Sequence, residues 1–303
     1  MIFRTTVRAA LLTALLSSTS LSALAAETDY RNDHLLTTAA ELVTAIGQET
    51  TESALDAEND LVIVDVRPAD AFAEGHIPGA VQLDPDAVAD PDAPVGGTLR
   101  ALEDLAALIG DLGISADTQV VLYDDKGGFH AARMFWLLEY LGHRNVQLLD
   151  GGIQAWTAAE QTLATGAGKS PTPQRFAPAV TPRRYASADY ILAHREDDDT
   201  LVIDVRPSNL FAKGHIPWAQ SIPWKGNLEE DLTMKPADEL IDHFAAHGVT
   251  ADRNIVIHCQ NGLASAHSYF ALRLIGHPQV RTYHRSWAEW GTADDLPKAG
   301  SAG

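Results

Sequence analysis

Short apolar runs, each bounded by polar or turn-forming residues, recur at matched places in the two halves of the chain. Residues 61–66 and 201–205 are rich in Val and Ile and are stopped by Pro68 and Pro207, the pattern of buried strands. Helical patterns follow over 99–111 and 237–247, then buried strands over 119–123 and 254–258. Polar, glycine-containing loops come next and lead into helices over 130–141 and 264–275. On these, Phe135, Trp136, Leu138 and Leu141 are matched by Tyr269, Phe270, Leu272 and Ile275 at helical spacing, which reads as a core-facing stripe. Strands over 146–149 and 280–283 precede turns and helices bearing Trp156 and Trp290. This alternation predicts an α/β fold, with a mostly parallel sheet in each half and helices on both faces.

The correspondence extends to individual residues. Asp65-Val66-Arg67-Pro68 returns as Asp204-Val205-Arg206-Pro207, Gly75-His76-Ile77-Pro78 as Gly214-His215-Ile216-Pro217, and Leu141-Gly142-His143 as Ile275-Gly276-His277. Two such long units are not a solenoid; they predict two matched domains, 35–159 and 183–296. Residues 160–182, rich in Ala, Thr, Gly and Pro, are expected to link them over the surface. Features held in common serve the fold. Asp65/Arg67 and Asp204/Arg206 are therefore expected as buried ion pairs at strand ends, and His76 and His215 as satisfied turn histidines.

Composition narrows the function. With 22 Lys and Arg against 41 Asp and Glu, the formal charge is −19. Such a chain is repelled by phosphate backbones and anionic membranes, so nucleic acid is not an expected partner. An anionic substrate has to be attracted locally, against the global field. The N-terminus has the three parts of a cleavable signal peptide (1–25): Arg4 and Arg8, a small and apolar stretch from Ala9 to Leu24, and Ala23-Leu24-Ala25. No later segment approaches the ~20 apolar residues of a membrane span. The mature protein is expected to be periplasmic or secreted.

Where the halves differ, chemistry is expected. After the second buried strand the second half has Cys259-Gln260-Asn261-Gly262-Leu263-Ala264, and Cys259 is the only cysteine of the chain. The first half has Asp124-Asp125-Lys126-Gly127-Gly128-Phe129-His130 there. Open α/β sheets place ligands at the carboxyl ends of their strands. Backbone N–H groups of a loop entering a helix, with the helix dipole, favour a thiolate over a thiol and would hold a persulfide anion equally well. No Lys or Arg lies within 259–264, so the backbone is expected to supply this stabilisation largely alone.

The paired Asp-Val-Arg, Gly-His-Ile-Pro, strand–Cys259-loop–helix and terminal Trp motifs resemble the tandem-domain rhodaneses, the thiosulfate and 3-mercaptopyruvate sulfurtransferases, over roughly residues 35–296. The resemblance implies two rhodanese-like domains, the first inactive with Asp124 at the cysteine position. It implies ping-pong transfer of a sulfane sulfur through a Cys259 persulfide, from a small anionic donor to a thiophilic acceptor such as cyanide, a thiol or a redox or sulfur-acceptor protein. Neither a metal nor an organic cofactor is implied. Gln260, Asn261, Gly262, Leu263 and Ala264 would cradle the persulfide.

The chain departs from the family at three places. Its loop has neither the basic residues typical of thiosulfate-using members nor the Cys-Gly-Ser-Gly of mercaptopyruvate-using ones; thiosulfate is the favoured donor. A substrate arginine of some relatives falls on Leu210. His284-Arg285-Ser286 stands where the family commonly has Asp-Gly-Ser, and Arg285 or His284 is expected to provide the missing positive charge. Asp204 and Arg206 are further candidate supports, and Trp218 and Trp224 candidate pocket walls. His243 and His247 have helical i, i+4 spacing but no third ligand nearby, so a solvated face is expected rather than zinc. A phosphatase or arsenate reductase would need an arginine where Ser265 stands. The alternative from another class is a persulfide carrier, loaded by a partner protein and turning over little by itself.

Overall fold

The computed structural model describes residues 30–52 and 61–300; the signal-peptide segment lies outside them. In the first half the strands are β1 (Leu36–Thr37), β2 (Leu61–Asp65), β3 (Val81–Gln82), β4 (Gln119–Tyr123) and β5 (Val146–Leu149). The helices are α1 (Ala39–Glu52), α2 (Ala69–Glu74), α3 (Leu102–Asp111), α4 (Ala131–Tyr140) and α5 (Gly152–Ala158). The second half has β6 (Thr200–Asp204), β7 (Gln220–Ser221), β8 (Asn254–His258) and β9 (Val280–Thr282). Its helices are α6 (Ala188–Ala193), α7 (Ser208–Lys213), α8 (Ala237–Ala245), α9 (Leu263–Leu274) and α10 (Ser286–Trp290). Among the described residues each half forms one sheet with every strand pair parallel, in the orders β1-β5-β4-β2-β3 and β9-β8-β6-β7. The orders match strand for strand, except that the outer strand β1 is reduced in the second half to a single bridge between Tyr185 and Thr282.

Alternate residues of each strand enter different cores, as the period of a strand requires. In the first sheet Ile63 and Val121 pack outward against Leu42, Phe72, Ile153 and Trp156 from α1, α2 and α5. Val64, Val120 and Leu122 point inward to α3 and α4. In the second sheet Val202 and Val256 face Ile191 and Trp290, whereas Ile203 and Ile257 face α8 and α9. The two inward faces share one hydrophobic cluster, so the domains are joined by a common core.

Helices α4 and α9 form the centre of this seam. Their middles meet at an edge-to-face contact of Phe135 with Phe270, centroids 4.9 Å apart, and their C-terminal turns at Arg273 and Glu139, 2.9 Å apart. They therefore lie side by side with their N-termini, and so the loops after β4 and β8, toward the same end. Residues 160–181 contain no helix or strand but are not simply laid over the surface. Phe176 is buried in the common core, the Gln174 N–H bonds the Gly110 carbonyl at 2.9 Å and the Ala179 N–H the Leu141 carbonyl at 2.8 Å. An apolar side chain and paired backbone groups make this segment part of the first domain's packing.

Candidate functional site

Cys259 directly follows β8 and is 2% exposed. The chain turns at Gly262, φ 94°, a left-handed conformation that glycine adopts without cost, and α9 begins at Leu263. A Cβ at Gly262 would also lie 2.5 Å from the His284 ring, so the close approach requires glycine as well. The Gly262 N–H donates to Cys259 Sγ at 3.2 Å, and the thiol lies 3.6 Å from Ser265 Oγ at the start of the helix.

Ser286 holds the loop from the other side. Its Oγ accepts the Cys259 N–H at 3.0 Å, donates to the Tyr283 carbonyl at 2.7 Å and lies 3.9 Å from Sγ. Ser286 has φ 53°, at the position where the first half has Gly152 with φ 56°. Holding a non-glycine residue there stores on the order of 1 kcal/mol, located at the thiol. The Trp287 and Ala288 N–H groups of α10 bond the Cys259 and Gln260 carbonyls, at 3.1 and 2.9 Å.

The first domain shows what such a loop holds best. The Asp124 carboxylate accepts the N–H groups of Lys126, Gly128, His130 and Ala131 at 2.8, 2.9, 2.6 and 3.1 Å. Asp124 is fully buried, and its anionic group sits in a ring of backbone donors. The matching cradle thus carries a carboxyl side chain where the other carries a thiol.

The paired Asp and Arg residues serve the fold in both halves. Arg67 binds Asp65 at 2.6 Å and the Gly75 carbonyl at 2.6 Å; Arg206 binds Asp204 and the Gly214 carbonyl at the same distances. His76 and His215 stack on Phe72 and Phe211, with Nδ1 2.9 Å from the Phe72 and Phe211 carbonyls. Identical geometry beside Asp124 and beside Cys259 marks these as parts of the strand-end turn. His258 lies 3.6 Å from Asp204, but burial lowers its pKa against that carboxylate, so it is neutral at pH 7.

The positive charge expected from His284 or Arg285 has another source. His284 is fully enclosed, stacks on Trp136 at 4.6 Å and is held well below the usual histidine range by burial and by the nearby Arg133. It is neutral. Arg285 turns to Glu289, 2.7 Å away, and its charge is matched there. Arg133, on α4 of the first domain, stands behind the His284 ring and interacts electrostatically with Cys259. Only 2% exposed, it lies 3.5 Å from His284 Nε2, across that ring from Gly262, and its Nε has no partner. Burial lowers its pKa, while Asp86 and Cys259 act in the opposite direction. Asp86 is exposed and 3.5 Å away, a weak counter-ion for a buried guanidinium. The sequence does carry a signal for it: Arg133 is the one charged residue in the buried run Ala131–Leu138.

The remaining candidates fall elsewhere. Trp218 packs edge-on against Trp290, centroids 5.9 Å apart, and Trp224 contacts Phe129 and His267 beside the Asp124 loop, so neither contact puts a wall at Cys259. The site is instead closed by the first domain: a Cβ on Gly97 would lie 2.6 Å from the Asn261 carbonyl. Gln260 is exposed, Asn261 and Leu263 half-buried, Ala264 buried and Leu210 exposed. His247 Nδ1 lies 2.9 Å from the His243 carbonyl, and no group of three or more His, Cys, Asp or Glu suited to a metal occurs among the described residues. A cavity of about 560 Å³ opens at the start of β2, beside Leu61, Gly113 and Lys169, at the amino end of that strand.

A thiol at the carboxyl end of a parallel strand, cradled at a helix start in only one of two matched α/β units, defines a tandem-domain protein with a single nucleophile-bearing loop. The Rhodanese-like domain family matches residues 48–159 and 187–293, and the chain belongs to that family. It is 32% identical over 251 residues to the thiosulfate sulfurtransferase of Pseudomonas aeruginosa, covering 78% of this chain and 90% of that one. It is 36% identical over 249 residues to the sulfur carrier protein TtuD of Thermus thermophilus, covering 75% and 86%. Among solved structures it is similar to SseA of Escherichia coli, described as a 3-mercaptopyruvate sulfotransferase, with a TM-score of 0.74, 28% identity and coverage of 84% and 99%.

Proposed function

We propose that the chain is a sulfurtransferase that uses thiosulfate as its preferred donor and Cys259 as its nucleophile. The Cys259 thiolate attacks the outer sulfur of thiosulfate; the S–S bond of the donor breaks, sulfite leaves with the electron pair, and a Cys259 persulfide anion forms. Cyanide or a thiol then attacks the outer sulfur of the persulfide, and the Cys259 thiolate is restored. 3-Mercaptopyruvate, releasing pyruvate, is the second donor to be compared.

The observation that carries this reading is the four-donor cradle around Asp124. A persulfide extends the Cys259 side chain by one atom and bears its charge at the end, as the aspartate carboxylate does. The loop of Gln260, Asn261, Gly262, Leu263 and Ala264 accordingly receives the outer sulfur among backbone N–H groups, preorganised before the charge arrives. Arg133 adds a desolvated positive charge that the loop lacks, and this favours the doubly charged thiosulfate over a singly charged carboxylate donor. Ser286 and Gly262 fix the position of Sγ.

Thiocyanate formation from cyanide tests the reading, with thiosulfate and 3-mercaptopyruvate compared for the intact protein and Cys259→Ala. Cys259-dependent turnover with the higher kcat/KM for thiosulfate is the expected result; turnover that survives in the variant overturns the assignment. A carrier role, supported by the likeness to TtuD, predicts persulfide loading by a partner protein but negligible turnover with either small donor. We further propose export through the segment ending at Ala25, which N-terminal sequencing of the mature protein checks.

A further inference from the structure

At the far end of the seam from Cys259, where the C-terminal turns of α4 and α9 meet, lies a cavity of about 230 Å³. Its lining includes Arg144, Arg183, Arg184, Arg273, His143 and Glu139. Four arginines and a single carboxylate line it, in a chain whose net charge is −19, and two of those arginines, Arg273 and Arg184, pair with Glu139. Burial pushes the Glu139 carboxyl up, but Arg273 and Arg184 outweigh it and hold the group below the usual carboxylate range, so Glu139 is ionised. It is already engaged. Arg273 binds it through Nε to Oε2 at 3.1 Å and through Nη2 to Oε1 at 2.9 Å, and the Tyr269 hydroxyl also donates to Oε2.

Among the described residues Arg184 is the one other arginine paired with Glu139, and at longer range. Arg184 is 8% exposed, only 3.8 Å from Glu139 and otherwise set against the face of the Tyr269 ring. Arg144 and Arg183 are exposed, and neither forms an ion pair among the described residues. Nor are these side chains needed to cap the two helices. The Arg273 and Leu274 carbonyls are taken by Asn32, at 2.6 and 3.0 Å, and the Leu141 and Tyr140 carbonyls by the N–H groups of Ala179 and Thr181, at 2.8 and 2.7 Å. Helix C-termini favour cations, but that effect is worth a few tenths of a kcal/mol per exposed residue and does not call for a buried one. A buried guanidinium without a matched anion is costly unless a ligand provides the charge.

We propose that this seam cavity is a binding site for a small oxyanion, separate from the Cys259 site, with Arg184 at its base and Arg144 and Arg183 at its mouth. Planar guanidinium groups present paired donors suited to the oxygens of sulfate-like or phosphate-like ions. The surplus of charge around Glu139 selects for a dianion. The inference rests on the arginine cluster and holds whichever sulfur donor reacts at Cys259.

Isothermal titration of the full chain with sodium sulfate and with sodium phosphate, at ionic strength balanced by chloride, tests it. The expected result is saturable binding in Cys259→Ala that weakens at least tenfold in the double variant Arg144→Gln/Arg183→Gln. Both substituted side chains are exposed, so folding and Cys259-dependent turnover at saturating donor are expected to be unchanged. The two arms identify the preferred anion, and either order is consistent with the site. Equal binding in the double variant, or no saturable binding beyond the chloride control, would overturn the proposal.

Discussion

Arg133 and His267 occupy the same position in the two copies of one helix, and each reaches out of its own domain toward the nucleophile-position loop of the other. Arg133 approaches His284 and the Cys259 loop; His267 places Nε2 3.0 Å from the Gly127 carbonyl of the Asp124 loop. The exchange is chemically matched. The loop that carries the Asp124 side chain faces a neutral imidazole, whereas the loop that carries Cys259 faces a guanidinium.

Arg133→Met separates charge from packing. The methionine fills similar apolar volume and removes a buried cation whose Nε is unpaired. Alkylation of Cys259 by iodoacetamide at pH 7 is expected to slow several-fold and kcat/KM for thiosulfate to fall at least tenfold, with Tm unchanged or slightly raised. Full activity in this variant would show that the loop backbone suffices. Arg133→Lys is expected to rescue part of the alkylation rate.

Asp124→Asn tests the cradle of the first domain. An amide offers one acceptor oxygen to the donors from Lys126, Gly128, His130 and Ala131 and turns an NH2 group toward them. Chemical denaturation is expected to show a loss of about 2 kcal/mol, within the range for stranded buried donors. Turnover at Cys259 is expected to persist under conditions where the variant is folded.

Ser286 combines backbone strain with two hydrogen bonds, and two substitutions divide them. Ser286→Ala loses the bonds and keeps the strain at φ 53°; Ser286→Gly loses both. The glycine variant is expected to be more stable than the alanine variant by about 1 kcal/mol. Both are expected to turn over more slowly than the parent, because the Cys259 N–H is no longer anchored. Equal stability of the two would rule out stored strain at this residue.

The seam histidines set an acid limit on stability. Burial lowers His267 to about 4, against a usual value near 6.5. Above pH 6.5 the ring is neutral in folded and unfolded chains alike and contributes nothing to the pH dependence. Between about 6.5 and 4 the unfolded chain takes up a proton that the native protein does not, so stability falls with decreasing pH, by about 3 kcal/mol in all, and then levels off. Denaturation midpoints measured from pH 7 to pH 4.5 are expected to fall less steeply in His267→Gln than in the parent.

Much of the architecture was legible because the pattern occurs twice. The strands Gln119–Tyr123, Asn254–His258 and Val146–Leu149 fall where their apolar runs end, and the α4 and α9 boundaries lie within one residue of the expected ones. Periodicity predicts well where burial on both faces leaves no other reading. The loop bearing Cys259 stands out where the two halves differ, Asp124 against Cys259. What stayed hidden was the partnership between them. That Arg133 reaches His284 of the other domain depends on how two helices pack, which neither local spacing nor charge reveals. His284-Arg285 departs from the family pattern, but side-chain direction, which sequence does not carry, leaves the His284 ring buried and neutral and turns the Arg285 charge to Glu289. The buried Phe176 was likewise unreadable in a segment without periodicity.

The core shared by the two sheets also bears on how the chain is made. Synthesis proceeds from the N-terminus at ~5–20 residues per second, and domains commonly close as they emerge. Here the first half emerges with one side of α4 bare, because Phe135 meets its partner Phe270 only after about nine-tenths of the chain has been translated. For those seconds an aromatic surface that ends fully buried has nothing to cover it. A nascent chain of this design needs a holding factor, or delayed closure of its first domain, until α9 arrives.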